Sequence, residues 1–444
     1  MGFKRQGLVI AAPHSGSGKT TLTIGLLRAL KRSQVAVAPA KIGPDYIDPQ
    51  YHEVAAGVRS CNLDGWAMRP ALLASLADQL QEGGDLSVIE GVMGLFDGAV
   101  KRGVLGYGAT ADVARFYDLP VVLVVDCAGM GQSVAALVKG FACYDPSIKL
   151  AGVILNKLGS LRHVTMMTKA LEVLGVPVLG AVPRDPVMEL PSRHLGLVQP
   201  EEMAGIERQI DAIADHVVAH VDLETLSSIA GSFSSSFSGA RGSGAQGGVD
   251  GFAEGGGMAP LGQRIAVARD GAFRFFYPHL STAWRQAGAE LVFFSPLANE
   301  GPDRDADAIY LPGGYPELYA GKIASNETFK AALKTAAEQG ARIYGECGGY
   351  MVLGDGLVDK EGHRHSMAGL LRLETSFADR KLHLGYRHVA RVSDGQLFRG
   401  HEFHYATILR QEGTALFQDV EGEECYGLAD GPVSGSFVHL IDGG

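Results

Sequence analysis

The sequence predicts an α/β protein of two units: an N-terminal doubly wound domain over 1–230 and a second α/β domain over 263–444. Three observations carry this. Apolar strands alternate with helical segments along the first half, the pattern of a parallel sheet covered on both faces. A glycine turn follows a strand and opens a helix twice, around 7–22 and again around 341–353. Between 231 and 262 more than half of the residues are Gly or Ser with no apolar period, which predicts a flexible linker.

Taken in order, 7–12 reads as a buried strand, and Ser15, Gly16, Ser17, Gly18, Lys19, Thr20 and Thr21 follow at once, before a helical pattern from about 22 to 30. Strand, glycine loop and helix is the context a phosphate-binding loop requires. Backbone N–H groups and the helix N-terminus would cradle phosphates, Lys19 would reach the β/γ oxygens, and Thr20 could ligate Mg²⁺. The strict pattern is departed from once: Pro13 stands five residues before Gly18, where a glycine is usual.

The strand at 35–38 leads directly into Lys41-Ile42-Gly43-Pro44-Asp45-Tyr46-Ile47-Asp48-Pro49. That places the loop at the carboxyl edge of the sheet, beside the phosphate loop. Its lysine, two aspartates and rigid prolines suit a metal-and-substrate loop, with Asp48 a metal candidate and Lys41, Asp45 and Tyr46 substrate candidates; on its own it reads as a turn. A further strand, 87–90, ends in Glu90 and runs into glycines that let backbone approach a ligand. Glu90 and then Asp97 are carboxylates able to hold Mg²⁺ or its water shell. Strands follow at 119–126, 150–155 and 176–182. Arg184, Arg193 and His194 lie just past the last, where they could pair with carboxylates of a polyanionic substrate or form structural salt bridges.

The second domain restarts with a strand near 263–270. Within it, Gly345-Glu346-Cys347-Gly348-Gly349 sits between an apolar run and a helical one. Such an elbow lifts a thiol out of the sheet, and the helix behind it favours thiolate. Core cysteines seldom lie among three glycines, so Cys347 reads as a nucleophile. Its base can come from afar. Of the fourteen histidines, His439 near the C-terminus is best placed, and His401 and His404 compete.

Composition frames these sites. At 444 residues, two or three domains are expected. With 46% hydrophobic and 20% charged residues the chain reads as globular. No apolar stretch approaches ~20 residues and no signal peptide opens the sequence, so a soluble, cytoplasmic protein with no membrane partner is expected. Five cysteines without CxxC spacing argue against a disulfide or zinc framework. A net charge of −10 with no basic run argues against nucleic acid, and makes any polycarboxylate ligand depend on a local basic pocket.

The segment 341–353, together with Leu311-Pro312-Gly313-Gly314-Tyr315-Pro316-Glu317, resembles a class I (triad-type) glutamine amidotransferase domain. Residues 399–405 and 435–439 are similar to its cobyrinate/cobyric acid synthase branch. The loop 41–49 resembles the element of the cobyrinic/hydrogenobyrinic acid a,c-diamide synthases, and differs from that of cobyric acid synthases. The resemblance implies Cys347 as nucleophile, His439 as base, and the Gly314 and Gly348 amides as oxyanion donors. Most triad glutaminases carry Glu two residues after the histidine. Here that position is Ile441, followed by Asp442, so a dyad with a weaker base is expected.

The same resemblance implies ATP- and glutamine-dependent amidation of the a- and c-acetates of a corrinoid polycarboxylate in cobalamin biosynthesis, with Mg²⁺. It leaves room for a homodimer. The substrate would be hydrogenobyrinic acid, which the linker-bearing form favours, or cobyrinic acid; a related tetrapyrrole is an alternative. Two other classes stay open. One is a partitioning-type regulatory ATPase, against which His14 stands where that class has its second lysine. The other is an ATPase with a non-catalytic glutaminase-like binding domain, against which Cys347, Gly348 and His439 are intact.

Overall fold

The computed structural model describes residues 6–193, 196–234 and 257–444. These fall into two compact units whose boundary lies within 235–256, outside the described residues.

In the first unit seven strands are parallel: β1 (Gln6–Ala11), β2 (Val37–Ile42), β3 (Cys61–Leu63), β4 (Leu86–Glu90), β5 (Val121–Asp126), β6 (Leu150–Leu158) and β7 (Val178–Pro183). Their order is β3-β2-β4-β1-β5-β6-β7. β2 and β4 are buried along their whole length, as strands covered on both faces must be. The doubly wound sheet expected from the alternating pattern is what forms. Register then does the positioning: Glu90, the last residue of β4, lies beside Ile10 of β1 on one side and Lys41 of β2 on the other.

Helix α1 (Lys19–Arg32) begins directly after Gly18, whose φ of 83° lies in the left-handed region that glycine tolerates. The helix therefore starts three residues before the apolar periodicity at 22 does. Helix α2 (Asp48–Ala56) carries Pro49 in its first turn, where a missing N–H costs nothing. A longer helix, α3 (Ile206–His220), buries Ile210, Ile213, Ala214 and Val217.

The predicted linker needs correction at both ends. Gly231–Ser232 form a short strand antiparallel to β1, paired with Gly7 and Gln6. Phe233 packs edge-on against Tyr117 with centroids 5.4 Å apart. At the other end Met258 is buried, and its carbonyl accepts the Trp284 indole N–H at 3.1 Å. The core of the linker expectation, 235–256, lies outside the described residues.

The second unit is built on β8 (Arg264–Ala268), β9 (Glu290–Phe294), β10 (Ala308–Leu311) and β11 (Arg342–Glu346), followed in the chain by β12 (His383–Arg391), β13 (Leu397–His404), β14 (Leu428–Asp430), β15 (Val433–Ser436) and β16 (Val438–Gly443). One sheet runs β9-β8-β10-β11-β15-β14, parallel except for its last pair. β12, β13 and β16 belong to a five-stranded antiparallel sheet. The short helix α4 (Gly348–Leu353) follows β11, and all six of its residues are buried. The strand–turn–helix read at 341–353 is thus β11, Cys347 and α4.

Candidate functional site

The two sites lie on separate units. In the first, Gly18 is held by its surroundings as well as by its φ: a Cβ built there would meet the Asn156 amide nitrogen at 2.4 Å. Asn156 donates to the Ser17 carbonyl at 2.8 Å. Lys157 donates to the Gly16 carbonyl at 2.7 Å and pairs with Asp126 at 2.7 Å. The end of β6 therefore props the phosphate loop from behind. The sequence shows these two residues only as a strand terminus.

At the helix start the Thr20 hydroxyl donates to Glu90 Oε1 at 2.6 Å and approaches Asp48 Oδ2 at 3.3 Å. Thr20, Asp48 and Glu90 are brought together as expected, and two carboxylates plus a hydroxyl are the hard-oxygen donors Mg²⁺ takes. Asp97 is not brought with them. It is exposed, and its carboxylate accepts the Gly94 N–H at 3.0 Å, closing its own loop. That loop does approach the phosphate loop, since Leu95 N–H donates to the Ala12 carbonyl at 2.8 Å.

Lys41 corrects its expected role. Its ammonium is buried between the two carboxylates, 2.5 Å from Asp48 Oδ2 and 2.8 Å from Glu90 Oε1, rather than presented to a substrate. Burial alone would lower its pKa, but Asp48 and Glu90 outweigh that and hold it above the ordinary lysine value. Burial likewise opposes ionisation of Glu90, yet Lys41 and then His52 keep it well below the usual carboxylate range. Burial and the neighbouring Lys41 charge lower Lys19, which sits 3.9 Å from Glu90. A phosphate arriving there would relieve the crowding of two ammonium groups.

His52, unremarked in the sequence, donates its ring N–H to Glu90 Oε2 at 2.7 Å. It stands four residues after Asp48 on α2, so both face the same side of the helix, and that spacing was a usable signal. Asp45 accepts the Ile47 and Asp48 backbone N–H groups at 2.7 and 3.1 Å, so it shapes the loop rather than facing outward. Burial, and then Asp48, push its carboxyl up to about 6. Tyr46 is half-buried in the same loop. The segment after the hairpin Ser192–Arg193/Gly196–Leu197 comes close: Val198 accepts the Tyr51 hydroxyl at 2.6 Å, and a Cβ on Gly196 would lie 3.7 Å from Ile47. Arg184 is exposed at the end of β7, the sheet's edge strand. The Arg193 side chain and His194 lie outside the described residues.

In the second unit Cys347 has φ 46° and ψ −102°, a strained conformation for a residue with a Cβ, and it caps α4. Its N–H donates to the Ser436 carbonyl at 2.8 Å. The close packing behind it demands glycine: a Cβ on Gly349 would sit 1.9 Å from the Leu311 carbonyl oxygen. One on Gly348 would lie 3.1 Å from the Gly314 nitrogen, so the two expected oxyanion donors are neighbours. Gly348 is the first residue of α4, where N–H groups lack intrahelical partners.

His439 lies inside β16, and its ring is close enough to the Cys347 sulfur for that group to act on its protonation. Burial would lower the His439 pKa, but Cys347 and then Glu346 overcome this and push it up to about 10. The Gly313 loop closes one face of the ring, since a Cβ on Gly313 would fall 2.3 Å from Cε1. The competing histidines take other places. His401 pairs across from His439 in the sheet, and burial together with the His439 charge drives it down to about 3. His404 stacks on Phe437 at 3.8 Å and contacts Glu402 at 3.1 Å. Neither can replace His439 as base.

Ile441 is buried and apolar, but Glu346 Oε2 lies 3.7 Å from His439 Nδ1. Its signal in the sequence was a charged residue closing an apolar strand just before the nucleophile.

The chain matches family models in both units. Residues 8–198 match the CobQ/CobB/MinD/ParA nucleotide binding domain, and residues 264–443 the CobB/CobQ-like glutamine amidotransferase domain. Over nearly its whole length it is similar to proteins named hydrogenobyrinate a,c-diamide synthase. It is 53% identical to that of Brucella suis, covering 98% of each chain, and 51% identical to that of Rhodobacter capsulatus, covering 99% of each. A phosphate loop backed by Glu90 in one unit, a Cys347–His439 pair in the other, and this extent of identity lead to one conclusion: the chain belongs to the hydrogenobyrinate a,c-diamide synthase family.

Proposed function

We propose that the chain amidates the a- and c-acetate carboxylates of hydrogenobyrinic acid, using ATP and glutamine, in cobalamin biosynthesis. The observation that carries the reading is the presence of two chemistries in one chain: the Cys347–His439 pair, and the Lys19–Thr20–Glu90 constellation at the phosphate loop. The choice of a metal-free corrin rests on the names of the relatives at 51–53% identity.

A carboxylate does not accept ammonia directly, because oxide is a poor leaving group. In the first unit a substrate carboxylate oxygen attacks the γ-phosphorus of ATP and ADP departs, leaving an acyl phosphate. Lys19 and the loop amides stabilise charge on the phosphoryl oxygens. Thr20, Glu90 and Asp48 would hold Mg²⁺, which when bound neutralises charge on the β/γ phosphates. Tyr46, Arg184, Arg193 and His194 are proposed to contact the polycarboxylate, in keeping with the approach of the 196–198 segment to the 45–48 loop.

In the second unit the Cys347 thiolate attacks the glutamine amide carbon, and the Gly314 and Gly348 amides are proposed to donate to the oxyanion. His439 protonates the leaving amide nitrogen, which departs as neutral ammonia, and the thioester is hydrolysed by water that His439 deprotonates, Cys347 leaving as thiolate. Ammonia then attacks the acyl phosphate carbon and phosphate leaves. Among the described residues no helix is long and apolar enough to cross a membrane. Action in the cytoplasm on a free corrinoid, as a monomer or homodimer, belongs to the same proposal. Mass spectrometry of hydrogenobyrinic acid after incubation with ATP, Mg²⁺ and glutamine tests it. Two amides gained support it, and an unchanged hydrogenobyrinic acid together with diamidated cobyrinic acid would overturn the substrate choice.

A further inference from the structure

The glutaminase unit contains a buried carboxylate for which nucleophile, base and oxyanion donors have no use. Glu346 ends β11 and is 1% exposed. Its two oxygens are fixed by neutral donors: the Tyr310 hydroxyl to Oε2 at 2.8 Å, and the Leu440 N–H to Oε1 at 3.2 Å. Among the described residues no lysine or arginine pairs with it, and the cationic partner it does face is His439 Nδ1 at 3.7 Å. Burying a carboxylate without a counter-charge is costly, and the His439 imidazole is the group placed to offset that cost. The Leu440 N–H belongs to the residue after His439, so the contact also ties the carboxylate to the strand that carries the ring.

We infer that Glu346 is the positioning residue of the glutaminase, standing in from the strand before the nucleophile for the carboxylate that would otherwise follow the histidine. It rests on the reading of Cys347 and His439 given above. At 3.7 Å a small rotation brings Glu346 to accept the Nδ1–H, which fixes the ring's tautomer and leaves its other nitrogen for the sulfur. The distance is that of an ion pair at rest, and such contacts shorten when substrate closes the site. Sequence distance concealed this: Glu346 and His439 meet because β11 pairs with β15, directly before β16.

The test is the pH profile of glutamine hydrolysis. Activity needs thiolate and imidazolium together, so its basic limb reports loss of the His439 proton. Removing the neighbouring negative charge in Glu346→Gln makes that proton easier to lose. The limb is therefore expected to move to lower pH by roughly 1–3 units, the usual effect of an opposite charge at this range. kcat should fall on the order of a hundredfold or more, as when an orienting acid is neutralised. Glu346→Asp, which keeps the charge but withdraws it by one methylene, should shift the limb less and recover part of kcat. A merely structural Glu346 would lower the rate of both variants with the limb unmoved, and that result overturns the inference. If the Gln variant does not fold, the Asp variant carries the test, and an unmoved limb there overturns it equally. Cys347→Ala separates the two levels: glutamine use surviving in that variant defeats the glutaminase reading itself, whereas its loss beside an unmoved Glu346→Gln limb defeats only the role of Glu346.

Discussion

Two lysines, one read from the sequence as a phosphate ligand and one as a substrate contact, differ sharply in their surroundings. Lys19 lies 3.9 Å from Glu90 and its charge is destabilised by burial and by Lys41, while Lys41 is clamped between Asp48 and Glu90. Lys41→Ala should therefore act first on stability. It removes the ammonium that pairs both Asp48 and Glu90, a loss of roughly 3–5 kcal/mol where a buried pair is broken. A thermal melt of the ligand-free protein checks this; an unchanged melting temperature with weakened corrinoid binding would restore a substrate-contact role. In the second unit, Gly313→Ala should push the His439 ring away from Cys347, because the new methyl would fall 2.3 Å from Cε1. Glutamine hydrolysis should drop by at least tenfold while amidation with free ammonia continues, measured as product formed from each nitrogen source. Cys347 and His439 were legible because each sits in a local motif. Glu346 and His52 carried only weak signals, a charge closing an apolar strand and a four-residue spacing from Asp48, because the sequence does not show which side chain a register will bring as partner.

At the scale of elements, continuous apolar runs located six of the seven parallel strands, as expected of strands covered on both faces; β3, three residues long, gave no such run. Helix ends were harder to read. α1 begins at Lys19, inside the phosphate loop, since Gly18 supplies the turn and no apolar residue marks the first three helical positions. Composition misled at the linker. Gly and Ser dominate 231–262, yet Phe233 anchors one end on Tyr117 and Met258 the other beneath Trp284. Single apolar residues in a polar stretch carry no period, so a compositional reading passes over them. Phe233→Ala should lower the stability of the first unit by about 1–3 kcal/mol, since the ring is only half-buried. Chemical denaturation followed on the unit that carries β1 measures it, and a loss under about 0.5 kcal/mol would show that the Gly231–Ser232 strand does not depend on the ring.

For the whole molecule, the physical question is why a phosphoryl-transfer unit and a glutaminase unit share a chain. Ammonia is protonated at neutral pH and useless to an acyl phosphate in that form, so its source and its consumer gain from being linked. That logic predicts a crossed pattern of defects. Lys19→Ala removes stabilisation of the transferring phosphoryl group, an effect of several kcal/mol, and should abolish amidation whether nitrogen comes from glutamine or from added ammonia. Cys347→Ala should lower glutamine hydrolysis by about 10⁴–10⁶, the scale seen when a nucleophile is deleted, yet leave amidation intact with high ammonia. The mirror measurement is hydrolysis of glutamine by Lys19→Ala. With Glu346 beside His439, the base does not lack an orienting acid, so the glutaminase has no built-in reason to idle when the other unit is disabled. Glutamate release by Lys19→Ala should accordingly persist within a few-fold of the wild-type chain assayed without ATP. If it instead collapses, the phosphate loop controls the cysteine through something other than the local geometry of His439, and the two chemistries are coupled at the level of the chain.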